Sequence, residues 1–216
     1  MSKLLSIQKQ LYIELLKNQT KPIVICTGPT GSGKTFLACE SAITQLLSGN
    51  YKKILITRPA VSIHNEQHGF LPGTLEKKMD PWIKPVLDNM ESITGPKKIA
   101  DLFKYKIIEV CPFGYIRGRT FKDTYIIADE MQNSTQTQFQ TLLTRIGDSS
   151  KIVVNGDLAQ SDDPEANGLN DFIHRLCSLQ DLKYVEHIDL STKDIIRHPA
   201  VNEILDIYLK SEIISI

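Results

Sequence analysis

The stretch GPTGSGKT, residues 28–35, decides the fold of this 216-residue chain. Its three glycines and one proline disfavour both a helix and a strand through most of its length. The residues before it, PIVIC (22–26), form a short apolar run, and those after Thr35 carry an apolar stripe of helical period. The stretch is therefore predicted to be a turn between a buried strand and an amphipathic helix.

The spacing Gly28-x-x-x-x-Gly33-Lys34-Thr35 matches the phosphate-loop pattern. Glycines allow positive φ angles, so that backbone N–H groups turn inward as an anion site, and the N-terminus of the following helix adds its positive dipole end. Lys34 is then the cation for the β and γ phosphates, and the Thr35 hydroxyl is a ligand for Mg²⁺. The residues expected to bind ATP are Gly28, Pro29, Thr30, Gly31, Ser32, Gly33, Lys34 and Thr35.

A second apolar segment, 125–128, ends in two acidic residues, Asp129 and Glu130. The carboxyl ends of parallel strands are where ligands bind in sheets of this kind. We expect Asp129 to hold the water shell of Mg²⁺, and Glu130 to orient and deprotonate the attacking water. A base beside the metal carboxylate favours hydrolysis, so an ATPase is predicted and a small-molecule kinase is the less favoured alternative.

Short apolar runs alternate with longer segments of helical period along the chain, which is typical of a parallel sheet covered by helices. We predict an α/β fold of this type, forming a single domain over residues 1–216 with an N-terminal helix within 1–21. A proline-rich insertion, 62–96, is expected to contain a helix broken by Pro81 and Pro85. The predicted strands are 23–27, 54–57, 107–110, 125–128, 152–154 and 184–188.

The segment NGDLAQ (155–160) follows the predicted strand 152–154. A neutral amide at this edge of the sheet can hydrogen-bond both water and the γ-phosphate, and so report whether the phosphate is present. Gln160 is the residue we expect in this role.

Together these residues resemble the PhoH-like family, a branch of P-loop ATPases related to the superfamily one helicases. The resemblance implies a RecA-like P-loop NTPase core, with nucleotide at 28–35, metal and water chemistry at Asp129 and Glu130, and a sensor at Gln160. An adenine-reading glutamine near the start of the core is also implied, and here Gln8 or Gln10 would supply it. The matching stretches are GPTGSGKT (28–35), ITRPAV (56–61), HGFLPGTLEKKMDPWIKPVLD (68–88), IRGRTFKD (116–123), YIIADEMQNSTQTQFQTLLTRIG (125–147), NGDLAQSD (155–162) and DIIRHPAV (194–201).

Hydrolysis leaves negative charge on the transferred phosphate, which an arginine from outside the loop would stabilise. The candidates are Arg58, Arg117, Arg119, Arg145 and Arg197. A helicase-like motor places its nucleotide between two lobes of this type, and the chain has the length for one. We therefore expect a homo-oligomer, a hexameric ring, in which a neighbour supplies Arg145 or Arg197.

Arg117, Arg119 and Lys122 surround Phe121, a mixture of cations and an aromatic ring that single-strand binders often show. Lysine plus arginine equals aspartate plus glutamate at 25 each, so any nucleic-acid site must be local. Two functions stay open. The first is a Mg²⁺-dependent ATPase that remodels or unwinds RNA or DNA, and the second is an ATP-switched oligomeric binding or assembly module.

Membrane contact is not expected, because no apolar run approaches the roughly 18 residues that cross a bilayer. The N-terminal stretch 1–21 is interrupted by lysines and offers no secretory signal. Four cysteines lie far apart without a CxxC pair, as in reduced proteins. The sequence thus predicts a cytoplasmic location, or the host cytoplasm if the source is a virus.

Overall fold

The computed structural model describes residues 5–59, 75–163, 167–179, 181–196 and 200, with only the main chain of 75–82. Its strands are β1 (Ile23–Thr27), β2 (Lys53–Thr57), β3 (Ile108–Val110), β4 (Thr124–Ala128), β5 (Lys151–Gly156) and β6 (Val185–Asp189). They form one parallel sheet in the order β3-β2-β4-β5-β1-β6. All six predicted strands are therefore confirmed, with bounds shifted by no more than two residues.

Helices cover both faces of this sheet. They are α1 (Ile7–Lys17), α2 (Lys34–Leu47), α3 (Leu75–Thr94), α4 (Pro96–Lys104), α5 (Gln136–Leu143) and α6 (Gly168–Cys177). The first four contribute to one core and the last two to a second core on the other face. Side chains alternate along each strand, so that Tyr125 and Ile127 of β4 enter the first core while Ile126 and Ala128 enter the second.

The prediction of a broken helix in the proline-rich insertion was wrong. α3 runs without interruption through Pro81 and Pro85. The two prolines stand four residues apart. Pro85 has no N–H to donate to the carbonyl oxygen of Pro81, so the missing backbone hydrogen bonds of both prolines lie in one stretch of the helix. Burial of Ile83, Val86 and Met90 in the first core holds the helix in place. The predicted HGFLPG turn (68–73) and the C-terminal helix from residue 199 lie outside the described residues.

None of the helices in the described part of the chain combines the length and apolarity needed to cross a bilayer.

β1 and β4 lie on either side of β5, so the loop after β1 and the acids after β4 meet at one edge of the sheet.

Candidate nucleotide site

Residues 28–33 connect β1 to α2, and Lys34 and Thr35 are the first two residues of the helix. Gly28 and Gly33 have φ angles of 138° and 91°, in the region that favours glycine. A Cβ on Gly28 would lie 2.5 Å from the carbonyl oxygen of Leu190, so this position has no space for a side chain. Gly33 is the N-cap of α2. The glycines therefore set both the shape of the loop and the entry into the helix.

Lys34 bends back over its own loop. Its Nζ donates to the carbonyl oxygens of Gly28, at 2.6 Å, and of Pro29, at 3.0 Å. The side chain is 8% exposed. The ammonium group is thus held by the main chain of the loop.

Thr35 and Asp129 are joined across the sheet edge. The Thr35 hydroxyl donates to Oδ1 of Asp129 at 2.8 Å. Burial and the neighbouring carboxylate of Glu130 raise the pKa of Asp129, while hydrogen bonding from Thr35 opposes that rise. A hydroxyl and a carboxylate are the oxygen donors that Mg²⁺ prefers. Both residues line a cavity of about 230 Å³ beside the phosphate loop.

The backbone of Glu130 adopts the left-handed conformation, with φ 53° and ψ 39°. One carboxylate oxygen accepts from Nε2 of Gln132 at 2.6 Å, and the other lies 3.5 Å from Nη2 of Arg58. Glu130 also lines the same cavity. The two acids after β4 therefore face different partners within one site.

The end of β5 contacts the phosphate loop directly. The backbone N–H of Thr30 donates to Oδ2 of Asp157 at 2.8 Å, and the Thr30 hydroxyl donates to Oε1 of Gln160 at 3.0 Å. The N–H of Asp157 in turn donates to Oε1 of Gln132 at 3.1 Å. Gln132 therefore bridges Glu130 and the segment that holds the loop.

Helix α1 supports the loop from behind. Nζ of Lys9 donates to the carbonyl oxygens of Ser32, at 2.8 Å, and Asp194, at 3.4 Å. One turn further along the helix, the Tyr12 hydroxyl donates to Oδ1 of Asn155 at 2.9 Å. Lys9 is 5% exposed, and Tyr12 and Asn155 are fully buried. The N-terminal helix is thus packed into the site.

The contacts of α1 do not show which glutamine would bind adenine. Gln8 and Gln10 both lie on the exposed side of α1, and Nε2 of Gln10 donates to the carbonyl oxygen of Leu5 at 2.9 Å. The role of Gln8 in adenine recognition stays a prediction.

Arg145 lies at the edge of the sheet opposite to its own phosphate loop. Its carbonyl oxygen accepts from the N–H of Phe121, which precedes β4, and the loop lies beyond the carboxyl ends of the strands. β4 has five residues, which corresponds to a length of roughly 16 Å. Arg145 therefore cannot serve its own site in this conformation. Arg197 lies outside the described residues.

The segment IRGRTFKD has much of its charge paired. Arg119 makes two hydrogen bonds to the carboxylate of Glu109, at 2.6 and 3.1 Å. Its guanidinium carbon also lies 4.6 Å from the centre of the Phe121 ring. Arg119 and Phe121 are thus occupied by contacts within the chain.

The two other cations of this segment are more exposed. Lys122 lies 3.5 Å from the carboxylate of Asp148, and both side chains are largely exposed. Arg117 is exposed as well. Nucleic-acid contact in this segment stays a prediction.

Sequence reasoning missed five residues at this site. Asp157 carried a signal in the sequence, since it lies three residues before the predicted sensor Gln160 and a carboxylate can accept from the backbone N–H groups of the loop. Gln132 follows the acid pair closely enough to have been considered. Asn155 carried a signal as well, since it is a neutral amide at the end of a predicted strand. Lys9 and Tyr12 carried none, because their contacts are made by the packing of α1.

Comparisons with known proteins agree with this architecture. Residues 3–209 match the sequence profile described as PhoH-like protein. Two curated relatives, both named PhoH-like protein and from Synechocystis sp. and Bacillus subtilis, are each 39% identical to this chain, over 207 and 201 residues. The alignments cover 95% and 92% of this chain and 61% of each relative, so the chain spans about three fifths of their length.

Among solved structures, the large terminase from a thermophilic bacteriophage superposes with a TM-score of 0.60. The superposition covers 94% of this chain and 50% of the terminase, at 14% sequence identity. The likeness is therefore one of fold. It confirms the predicted class, a parallel sheet with flanking helices of the RecA-like P-loop NTPase type.

Proposed function

This chain belongs to the PhoH-like family, and we propose that it binds ATP together with Mg²⁺ at residues 28–35 and hydrolyses the γ-phosphate bond. The observation that carries the proposal is the hydrogen bond between Thr35 and Asp129 beside the glycine loop. It joins the two protein oxygens that phosphate-loop enzymes use for the metal.

The loop provides the phosphate contacts. Backbone N–H groups at the start of α2 and the Lys34 ammonium group would bind the β and γ phosphates. Thr35 and Asp129 would hold Mg²⁺, whose charge offsets that of the phosphates when it is bound. Lys34 would exchange the carbonyls of Gly28 and Pro29 for phosphate oxygens.

Glu130 is the group that we propose to activate water. Gln132 donates to one of its oxygens and Arg58 lies beside the other, so the carboxylate is held at a fixed angle in the cavity. In this position Glu130 would orient the attacking water and accept its proton.

An arginine from a neighbouring copy would complete the site. The position of Arg145 at the far edge of the sheet supports this arrangement, since that edge would face the phosphate loop of the next copy in a head-to-tail ring. We therefore propose a homo-oligomeric ring, hexameric in the simplest form. Arg197 is the alternative source of the charge.

Hydrolysis would be coupled to the remodelling of single-stranded RNA or DNA. Thr30 connects the phosphate loop to Asp157 and Gln160, so a change at the γ-phosphate would reach the segment after β5. The exposed Arg117 is a candidate contact for the nucleic-acid backbone.

A second candidate function is an ATP-switched assembly module without motor activity. The pairing of Arg119 with Glu109 and of Lys122 with Asp148 favours it, because these pairs reduce the positive charge available to a nucleic acid.

Release of inorganic phosphate from ATP tests the enzymatic proposal. The wild-type chain should release phosphate with Mg²⁺ and not with EDTA, and Thr35→Ala should lose most of this activity. Thr44→Ala, an exposed threonine on the same helix, is the matched control. Phosphate release that is insensitive to both EDTA and Thr35→Ala would contradict the proposal. Stimulation by single-stranded RNA or DNA favours remodelling, and its absence favours the assembly module.

A further inference from the structure

Asn155 is a neighbour of Asp129 through the register of the sheet. Ala128 of β4 is the partner of Val154 of β5, so the next residues, Asp129 and Asn155, stand side by side. Ala128 and Val154 both face the second core. Because side chains alternate along strands, Asp129 and Asn155 share the opposite face, on the side of α1 and α2.

Tyr12 fixes the orientation of the Asn155 amide. Its hydroxyl donates to Oδ1, and because an amide group is planar, Nδ2 is directed away from Tyr12. Nδ2 is buried, and within the described residues no atom accepts from it with good hydrogen-bond geometry. A buried donor without an acceptor destabilises a fold, so its presence here calls for an explanation.

The Asp129 carboxylate is the acceptor that best explains this donor. It belongs to the neighbouring residue across the strands, on the same face of the sheet. Oδ1 of Asp129 accepts from Thr35, and the carboxylate has further acceptor sites. The two residues are therefore neighbours, without a hydrogen bond of good geometry between them.

We propose that Tyr12 and Asn155 are positioning residues for Asp129, which hold its carboxylate in the orientation that the metal requires. Tyr12 sets the amide, and Nδ2 of the amide is the donor that would hold the carboxylate. Helix α1 is by this route part of the metal-binding apparatus. The inference rests on the proposed function, because it assumes that Asp129 serves a divalent cation bound with a nucleotide.

The test measures metal-dependent binding of ADP and does not require hydrolysis. A fluorescent ADP analogue is titrated into the protein with Mg²⁺ and with EDTA, and Mn²⁺ bound with ADP is followed by electron paramagnetic resonance. Asn155→Ala should weaken Mn²⁺ binding by roughly 10- to 100-fold, the range found when groups that orient metal ligands are removed. Tyr12→Phe should weaken it by about 10-fold. Neither variant should change ADP affinity in EDTA by more than about two-fold.

Tyr125→Phe is the matched control. Tyr125 is fully buried in the same core, and its hydroxyl has no hydrogen-bond partner of good geometry among the described residues. Its loss should leave Mn²⁺ binding unchanged. If Tyr12 acts through Asn155, then adding Tyr12→Phe to Asn155→Ala should weaken metal binding no further.

Two results overturn the proposal. The first is a loss of ADP affinity in Tyr12→Phe that is equal with and without metal, and the second is unchanged Mn²⁺ binding in a folded Tyr12→Phe protein. If Asn155→Ala does not fold, as judged by circular dichroism, the conservative Tyr12→Phe variant decides alone. A wild-type protein that binds Mn²⁺ with ADP but releases no phosphate from ATP contradicts the proposed ATPase and leaves this inference intact.

Discussion

Thr30 of the phosphate loop is joined to Asp157, at the end of β5, by a hydrogen bond of 2.8 Å between its backbone N–H and a carboxylate oxygen. The same carboxylate accepts from the N–H of Ala159 at 3.1 Å, and it lies 3.2 Å from the Thr30 hydroxyl, whose one proton it shares with Gln160. Hydrogen bonds to an ionised acceptor are roughly twice as strong as neutral ones. Asp157 therefore fixes the first half of the loop to the sheet.

Asp157→Ala should lower the free energy of unfolding by about 1–3 kcal/mol, because it leaves the donors of Thr30 and Ala159 without their acceptor. ATP affinity should fall as well, since the loop loses its fixed shape. Urea unfolding and nucleotide titration measure the two effects. Asp162→Ala, an exposed acid nearby, should change the free energy of unfolding by no more than about 0.5 kcal/mol. Equal losses in both variants would contradict a specific role for Asp157.

Glu130→Gln should lower kcat for ATP hydrolysis by roughly 10²- to 10⁴-fold, because the amide cannot accept the proton of the attacking water. ATP affinity should change little, since Glu130 is not expected to bind the phosphates. Single-turnover hydrolysis and nucleotide titration separate the two quantities. Glu40→Gln, an exposed position on α2, serves as the control. A Glu130→Gln enzyme with wild-type kcat would exclude Glu130 as the base.

Mixed assemblies test whether Arg145 acts on a neighbouring site. Lys34→Ala protein retains Arg145 but lacks the lysine of the phosphate loop. Arg145→Ala protein retains a complete phosphate loop but lacks the arginine, so each variant should be inactive alone. Mixing them should restore part of the phosphate release if one copy provides the arginine to the next. The same mixture made with Arg197→Ala distinguishes the two candidates. The trans arrangement fails for Arg145 if no mixing ratio restores activity, or if Arg145→Ala alone is fully active.

Lys151→Met should destabilise the protein by about 1–3 kcal/mol at neutral pH. The Lys151 ammonium group is buried and donates to the carbonyl oxygens of Leu15, Asn18 and Lys21, at 2.8, 2.9 and 2.8 Å, where α1 ends. Methionine fills similar volume but donates to none of them. Lys53→Met, at the corresponding first position of β2, is exposed and should have little effect.

The same residue predicts a pH dependence. Burial lowers the pKa of Lys151 from 10.5 to about 8. Between these two values Lys151 binds more protons in the unfolded chain than in the folded one, so its contribution to stability should rise with pH across this window. The Lys151→Met variant should lack that rise, whereas Lys53→Met should keep it. Denaturant unfolding at several pH values between 7 and 10 measures the difference, and parallel curves for wild type and Lys151→Met would contradict it.

The strands and the loop were predictable from the sequence because local patterns specify them. Runs of β-branched residues predicted the strands, and glycine spacing before Lys34 predicted the loop. The acids after β4 were found through their position at a strand end. In each of these cases the signal lies within a few neighbouring residues.

What the sequence could not reveal depends on contacts between distant segments. Lys9 and Tyr12 resemble ordinary helix residues until α1 packs against the loop and β5. The pairing of Arg119 with Glu109 likewise arises only after β3 is placed beside the following segment. Helix α3 continues past Pro81 and Pro85 because tertiary burial outweighs local propensity.

The hold of Lys34 on Gly28 and Pro29 has a kinetic consequence. Binding of a nucleotide would exchange two hydrogen bonds of the Lys34 ammonium group, those to the carbonyl oxygens of Gly28 and Pro29, for contacts with phosphate oxygens. The same two carbonyl oxygens would accept from Lys34 again when the product leaves. If the chain hydrolyses ATP as proposed, this competition for Lys34 would shorten the time for which ADP stays bound.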